Sequence, residues 1–247
     1  GSRLIQCNAL ASGPGAGCGK RPGCPLAPRL GGMHPVTWSA PESERAGTHL
    51  LVMLHGYGSD ESAMTPLFRH LPRGVTGAAL RGPFDAGGRS GWFLLDPMLE
   101  SDEADVLAAG SSLLGTIAEL KRLGGFTGVS LLGFSQGMAM AVTALRLRPE
   151  DFTCVVGLSG FIVPSELLAM SEPLPVRVPF FWGRDRADWV IHSGAVAGAA
   201  QWLEANTALT ARTYPGMGHR IGGEEGRDVG IFLRTFALPT EKNKAPY

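Results

Sequence analysis

An α/β fold, with a mostly parallel central sheet flanked by helices on both faces, is the fold class this sequence predicts. Three observations predict it. Apolar runs of strand length recur from Thr37 onward, longer helical patterns separate them, and the runs are apolar almost throughout instead of alternating. Strands that bury both faces read in this way, and strand–helix alternation is the signature of a parallel sheet. At 247 residues, a single domain with a sizeable core is expected.

Residues 1–32 come first and stand apart. They hold eight Gly, four Pro and the basic residues Arg3, Lys20, Arg21 and Arg29, with no acid. No helical or alternating period runs through them, so they bury too little apolar surface to offset their ordering entropy. A flexible extension is therefore expected ahead of one domain over residues 33–240. Gly1-Ser2 resembles the remnant of an expression tag, and Met33 is a candidate native start. A transit peptide fits less well, because the segment is basic without being amphipathic. Cys7, Cys18 and Cys24 lie here without Cys-x-x-Cys spacing, and His34 is the only imidazole nearby, which argues against zinc.

The body then reads in order. His49–Leu54, Val75–Leu80, Val129–Leu132, Cys154–Leu158, Val178–Trp182 and Leu209–Tyr214 are expected as strands. Glu61–Leu71, Glu103–Leu123, Gln136–Leu147, Ser193–Ala205 and Glu224–Phe236 are expected as helices. Cys154, the one cysteine of the body, falls in a buried strand as a small core hydrophobe. A body that needs no disulfide suits a reducing compartment, so a cytoplasmic location is expected.

Ligand chemistry in such a sheet belongs at the carboxyl ends of its strands, and four stretches lie there. His55-Gly56-Tyr57-Gly58-Ser59-Asp60 follows the first long strand. Its glycines allow a backbone N–H to point into a site, while Ser59 or Asp60 caps the next helix. His55, between strand and turn, is a weaker candidate for a base than for a residue that shapes the turn. Gly133-Phe134-Ser135-Gln136-Gly137 sits between an apolar run and a helix. Small residues two before and two after the serine let strand and helix approach, and the strained turn exposes the hydroxyl as a nucleophile. The N–H groups of Tyr57 and Gln136 are the expected oxyanion donors.

Trp182-Gly183-Arg184-Asp185-Arg186-Ala187-Asp188-Trp189-Val190-Ile191 offers two acids to orient an imidazole. Asp188 is preferred because of the apolar pair after it, and Asp185 is expected to pair with Arg184 or Arg186 on the surface. Gly216-Met217-Gly218-His219 holds an imidazole between glycines, which makes His219 the expected base. His34, His49, His70 and His192 lack this placement.

The chain order Ser135, Asp188, His219 is that of α/β-hydrolases. The sequence resembles their phospholipase/carboxylesterase branch, the small esterases without a cap domain that include acyl-protein thioesterases. Leu54-His55-Gly56-Tyr57-Gly58 resembles the branch's oxyanion loop, Gly133–Gly137 with Ala139-Met140-Ala141 its elbow, and Gly216–His219 its histidine loop. Arg81-Gly82-Pro83 and Gly91-Trp92-Phe93 are similar to segments that flank its site. Two departures stand out. Trp189 replaces a proline after the acid, with His192 following Ile191, and Met138 stands where many members carry glycine.

The resemblance implies a serine carboxylesterase acting on short- to medium-chain acyl esters through Ser135, His219 and Asp188. Acyl thioesterase and lysophospholipase are the alternatives, and a non-catalytic binding module of the same fold is a distant one. A dienelactone-hydrolase-like enzyme would carry Cys in place of Ser135. No metal or organic cofactor is required. His55, Trp92, Phe161 and Trp189 are candidate substrate contacts, with Leu94, Leu95, Met98, Leu99 and Ile162 as further candidates for an apolar groove. The 18% charged residues and net charge of +0 argue against a nucleic-acid partner. No apolar run reaches the ~18 residues of a membrane span. A small acyl ester or thioester is thus the expected partner, with homodimerisation left open as a way to cover an uncapped site.

Overall fold

A computed structural model describes residues 35–238. The readings made on residues 1–32, on Cys7, Cys18, Cys24 and on His34 lie outside the described residues.

Seven strands form one sheet in the order β1-β3-β2-β6-β7-β8-β9. Its members are β1 (Val36–Trp38), β2 (His49–Leu54) and β3 (Val75–Leu80), then, past the small hairpin β4 (Phe84–Asp85) and β5 (Ser90–Gly91), β6 (Val129–Phe134), β7 (Val155–Leu158), β8 (Pro179–Arg184) and β9 (Ala208–Thr213). Only β1 runs antiparallel, against β3; every other pair is parallel. The helices are α1 (Glu103–Gly124), α2 (Gln136–Leu147), α3 (Glu166–Ala169), α4 (Ser193–Asn206) and α5 (Gly223–Phe236). Among the described residues no helix is long and apolar enough to cross a membrane.

The continuous apolar character of β2 has a direct cause. Leu50, Val52 and Leu54 enter a core shared with α1, α2 and α4, whereas Leu51 and Met53 enter a second core on the opposite face, shared with residues 61–70 and α5. Every residue of β2 is buried, so the strand tolerates no polar alternation.

Glu61–His70 departs from expectation. It is a ten-residue 3₁₀ helix, and Pro66 inside it leaves one position without an N–H to donate to the preceding turn. Asp60 caps it, its Oδ1 accepting the Ser62 N–H at 2.9 Å. The short strand Val36–Trp38 and the hairpin β4–β5 add to the elements expected from the sequence.

Register decides where the chemistry lies. Leu54 pairs with Gly133, Phe134 with Leu158, and Leu158 with Gly183. Four strand ends therefore stop on one line, and the turns at His55, Ser135, Ser159 and Asp185 leave the sheet side by side.

Candidate active site

Ser135 ends β6 and caps α2 with φ 54° and ψ −119°, a conformation L-residues adopt at a cost of about 1–3 kcal/mol. What over-determines it is close packing. A Cβ at Gly133 would overlap the Gly137 backbone, and one at Gly137 would overlap the carbonyl oxygen of Leu54. Only glycine permits β2, β6 and α2 to approach this closely. The Ser135 N–H donates to Leu158 O at 2.9 Å, pinning the elbow to β7. Met138, the departure beyond the elbow, is fully buried and fills the space that Gly157 and Gly160 leave open.

His219 stands over the elbow. Its Nε2 lies 3.1 Å from Ser135 Oγ and its Nδ1 lies 2.8 Å from Asp188 Oδ2. A carboxylate only accepts, so Nδ1 carries the proton and Nε2 accepts from the serine hydroxyl. The other Asp188 oxygen, Oδ1, accepts the N–H groups of Val190 at 2.9 Å and Ile191 at 3.3 Å, which fixes the carboxylate plane. The Phe134 ring packs against the imidazole at 5.0 Å between centroids.

Asp185 corrects the expectation of a surface ion pair. It is buried, and its oxygens accept the Gly218 N–H at 2.7 Å and the Ala187 N–H at 2.9 Å. Those backbone donors hold its carboxyl below the usual carboxylate range. Asp185 thereby ties the strand end of β8 to the residue preceding His219, a role that its neighbours in the sequence do not signal. Gly216 and Gly218 both have positive φ, and the exposed Trp189 ring lies against Gly218 where a side chain would collide.

His55 is fully buried and both ring nitrogens are engaged. Nε2 accepts the Gly82 N–H at 2.9 Å, so Nδ1 carries the proton and donates to Gly56 O at 2.7 Å. Burial pushes its pKa down, which keeps it neutral. Trp92 Nε1–H donates to His55 O at 2.8 Å, and Gln136 clamps the same segment, accepting the Trp92 N–H at 3.0 Å and donating to Phe93 O at 2.8 Å. His55 and the Gln136 side chain thus fix the turn that carries Tyr57 against the start of α2. There the Gln136 N–H, at the first helical position, lacks an intrahelical acceptor.

The four proposed substrate contacts fall in different places. His55, Trp92 and Phe161 are buried behind the surface, and Trp189 is 79% exposed. None lines the cavity of about 380 Å³ that reaches Ser135 and His219. Its walls are instead Tyr57, residues of the 3₁₀ helix such as Met64 and Leu67, and Arg220–Gly223. Of the remaining histidines, His49 is buried at the far end of the sheet, with Nε2 2.8 Å from Ser130 Oγ and its pKa lowered to about 4 by burial. His192 caps α4 by accepting the Ala195 N–H at 3.1 Å. Among the described residues no cluster of His, Cys, Asp and Glu is arranged to hold a metal ion.

Comparison with known proteins agrees with this architecture. The sequence profile described as phospholipase/carboxylesterase matches residues 39–237. The chain is 29% identical over 106 residues to acyl-protein thioesterase 1 of Saccharomyces cerevisiae, covering 41% of this chain and 47% of that protein. It is 31% identical over 99 residues to a probable carboxylesterase of Oryza sativa subsp. japonica, covering 39% and 42%. The matched stretches thus span about half the length of these relatives or less. Among solved structures, esterase PE8 superposes with a TM-score of 0.68 at 26% identity, over 82% of this chain and 98% of that one. A carboxylesterase from Mesorhizobium loti superposes with a TM-score of 0.70 at 22% identity over 85% and 98%, a likeness of fold. The fold is that of the α/β-hydrolases, and no separate cap is present among the described residues.

Proposed function

The chain belongs to the phospholipase/carboxylesterase family, and from that premise we propose that it is a serine carboxylesterase working through Ser135, His219 and Asp188. The observation that carries this reading is the unbroken line of hydrogen bonds from Ser135 Oγ through the imidazole to Asp188, 3.1 and 2.8 Å long, on a strained elbow. Ser135 Oγ attacks the acyl carbonyl while its proton passes to His219 Nε2, and the new C–O bond places negative charge on the carbonyl oxygen. Asp188 stabilises the imidazolium through Nδ1–H. The N–H groups of Tyr57 and Gln136 receive the oxyanion, donors of a kind each worth about 10²–10³ in rate. Collapse breaks the bond to the leaving group, which takes the proton from Nε2 and departs. Water, deprotonated by the same nitrogen, then attacks the acyl-enzyme and restores Ser135.

Short- to medium-chain acyl esters are the proposed substrates. The cavity is mostly apolar and of a volume suited to a small substrate, near the lower end of the ~300–1,000 Å³ usual for ligand pockets. Thioesters share this chemistry, and the likeness to an acyl-protein thioesterase supports that second reading. Turnover of para-nitrophenyl butanoate by the wild type and by Ser135→Ala tests the assignment. A loss of roughly 10³-fold or more in kcat is expected. Undiminished turnover in the variant would sink it.

A further inference from the structure

The cavity beside His219 has a direction. During acylation His219 Nε2 must deliver its proton to the departing group, so the leaving group faces the imidazole and the acyl chain lies away from it. The cavity is walled by the four residues that follow His219, Arg220–Gly223, and by the 3₁₀ helix across from them. With His219 itself and Tyr57 also in its lining, it adjoins the imidazole that delivers the proton.

Its floor and its mouth differ in chemistry. Met64 and Leu67 line it and are buried, whereas Arg69 and Arg220 line it and are exposed. Arg227 reaches the same corner, with Nη1 3.9 Å from where a Cβ on Gly223 would stand. These three arginines lack what Arg81, Arg122, Arg146 and Arg148 have, a glutamate partner; among the described residues none of the three forms an ion pair. Glu224, next to the wall residue Gly223, pairs with none of them. Arg69 is not free to swing, because its Nε–H donates to His70 Nε2 at 3.1 Å. That bond uses one of its five N–H donors and leaves the terminal nitrogens available. Burial, then the positive charges of Arg69 and Arg227, push the His70 pKa down, so it stays a neutral acceptor. An apolar slot ending in uncompensated guanidinium groups matches an apolar body that ends in an anion.

We infer that this cavity is the leaving-group subsite, and that Arg69 and Arg220 select esters whose leaving alcohol or thiol carries a carboxylate or phosphate distal to the scissile bond. This rests on Ser135 and His219 acting as proposed above.

Three butanoyl-size substrates separate the possibilities. In para-butanoyloxybenzoate the leaving phenol carries the anion; para-butanoyloxybenzamide is its neutral counterpart of the same shape; the hemisuccinate of para-hydroxybenzamide places the anion on the acyl side. The wild-type chain is expected to favour the benzoate over the benzamide by about tenfold or more in kcat/KM at low salt, with the preference fading as salt screens it. The hemisuccinate should show no such gain. In R69Q/R220Q the benzoate-to-benzamide ratio of kcat/KM is expected to fall about tenfold or more, and thermal melting of the same sample reports that the variant folds. Equal turnover of benzoate and benzamide by the wild type, a preference for the hemisuccinate, or equal losses for all substrates in the double variant would overturn the inference and leave the serine mechanism standing. No turnover of any ester would overturn both.

Discussion

Glu225 offers a quantitative test of the physical account. It sits at the third position of α5, fully buried, with Oε2 receiving the Gly222 N–H at 3.4 Å and Oε1 without a partner. Loss of hydration is the main cause of its pKa rising from 4.5 to about 7, and the charge of Asp228 adds to it. The unfolded chain therefore releases this proton near 4.5, and the folded protein holds it until about 7. Between those values the native state binds a proton the unfolded state lacks, so its stabilisation is complete below 4.5 and is lost as pH rises toward 7. At roughly 1.4 kcal/mol per pH unit, the loss comes to about 3 kcal/mol. Glu225→Gln preserves the acceptor for Gly222 and abolishes the titration. Urea unfolding of the wild type and the variant between about pH 4.5 and about pH 8.5 reads the difference directly. The variant is expected to match the wild type at the acid end and to exceed it by about 3 kcal/mol, on the order of 10 °C in Tm, at the alkaline end. Parallel curves, or a variant less stable at high pH, would refute the reasoning.

Gly137→Ala forces a Cβ against the carbonyl oxygens of Leu54 and His55, and is expected to cost more than about 3 kcal/mol by thermal unfolding; a Tm near wild type would show that the elbow is looser than its packing implies. Asp188→Asn is expected to lower kcat by up to about 10⁴-fold with a nearly unchanged Tm, because it allows the wrong imidazole tautomer. Asp185→Asn retains one carbonyl acceptor for two N–H donors, so it is expected to lower kcat far less and to lower Tm, as steady-state kinetics and melting on the same samples will show.

Much of the fold was legible because burial on both faces leaves a coarse mark. The apolar runs of β2 and β3 matched their strands residue for residue, and glycines around Ser135 marked where strand and helix must touch. Ser135 and His219 stand out by their glycine-flanked placement after strands and Asp188 by the apolar pair that follows it, and the fold brings the three within hydrogen-bond distance across 84 and 31 residues of chain. What escaped was non-local. Asp185 between two arginines reads as a surface ion pair, but its partner is a backbone N–H 33 residues away. The cavity joins the segments 56–70 and 219–223, which meet only after α5 packs against the 3₁₀ helix, and no local pattern records that meeting. Val36–Trp38 is three residues long and too short to carry a period of its own.

The central claim is that Ser135 is a nucleophile activated by His219. Intact-protein mass spectrometry after exposure to an alkyl fluorophosphonate tests it most directly, with peptide mapping of the adduct. The account predicts one phosphonyl group per chain, on Ser135, absent in Ser135→Ala and strongly slowed in His219→Ala. A folded wild-type protein that stays unlabelled, or that carries its adduct on another residue, would contradict it.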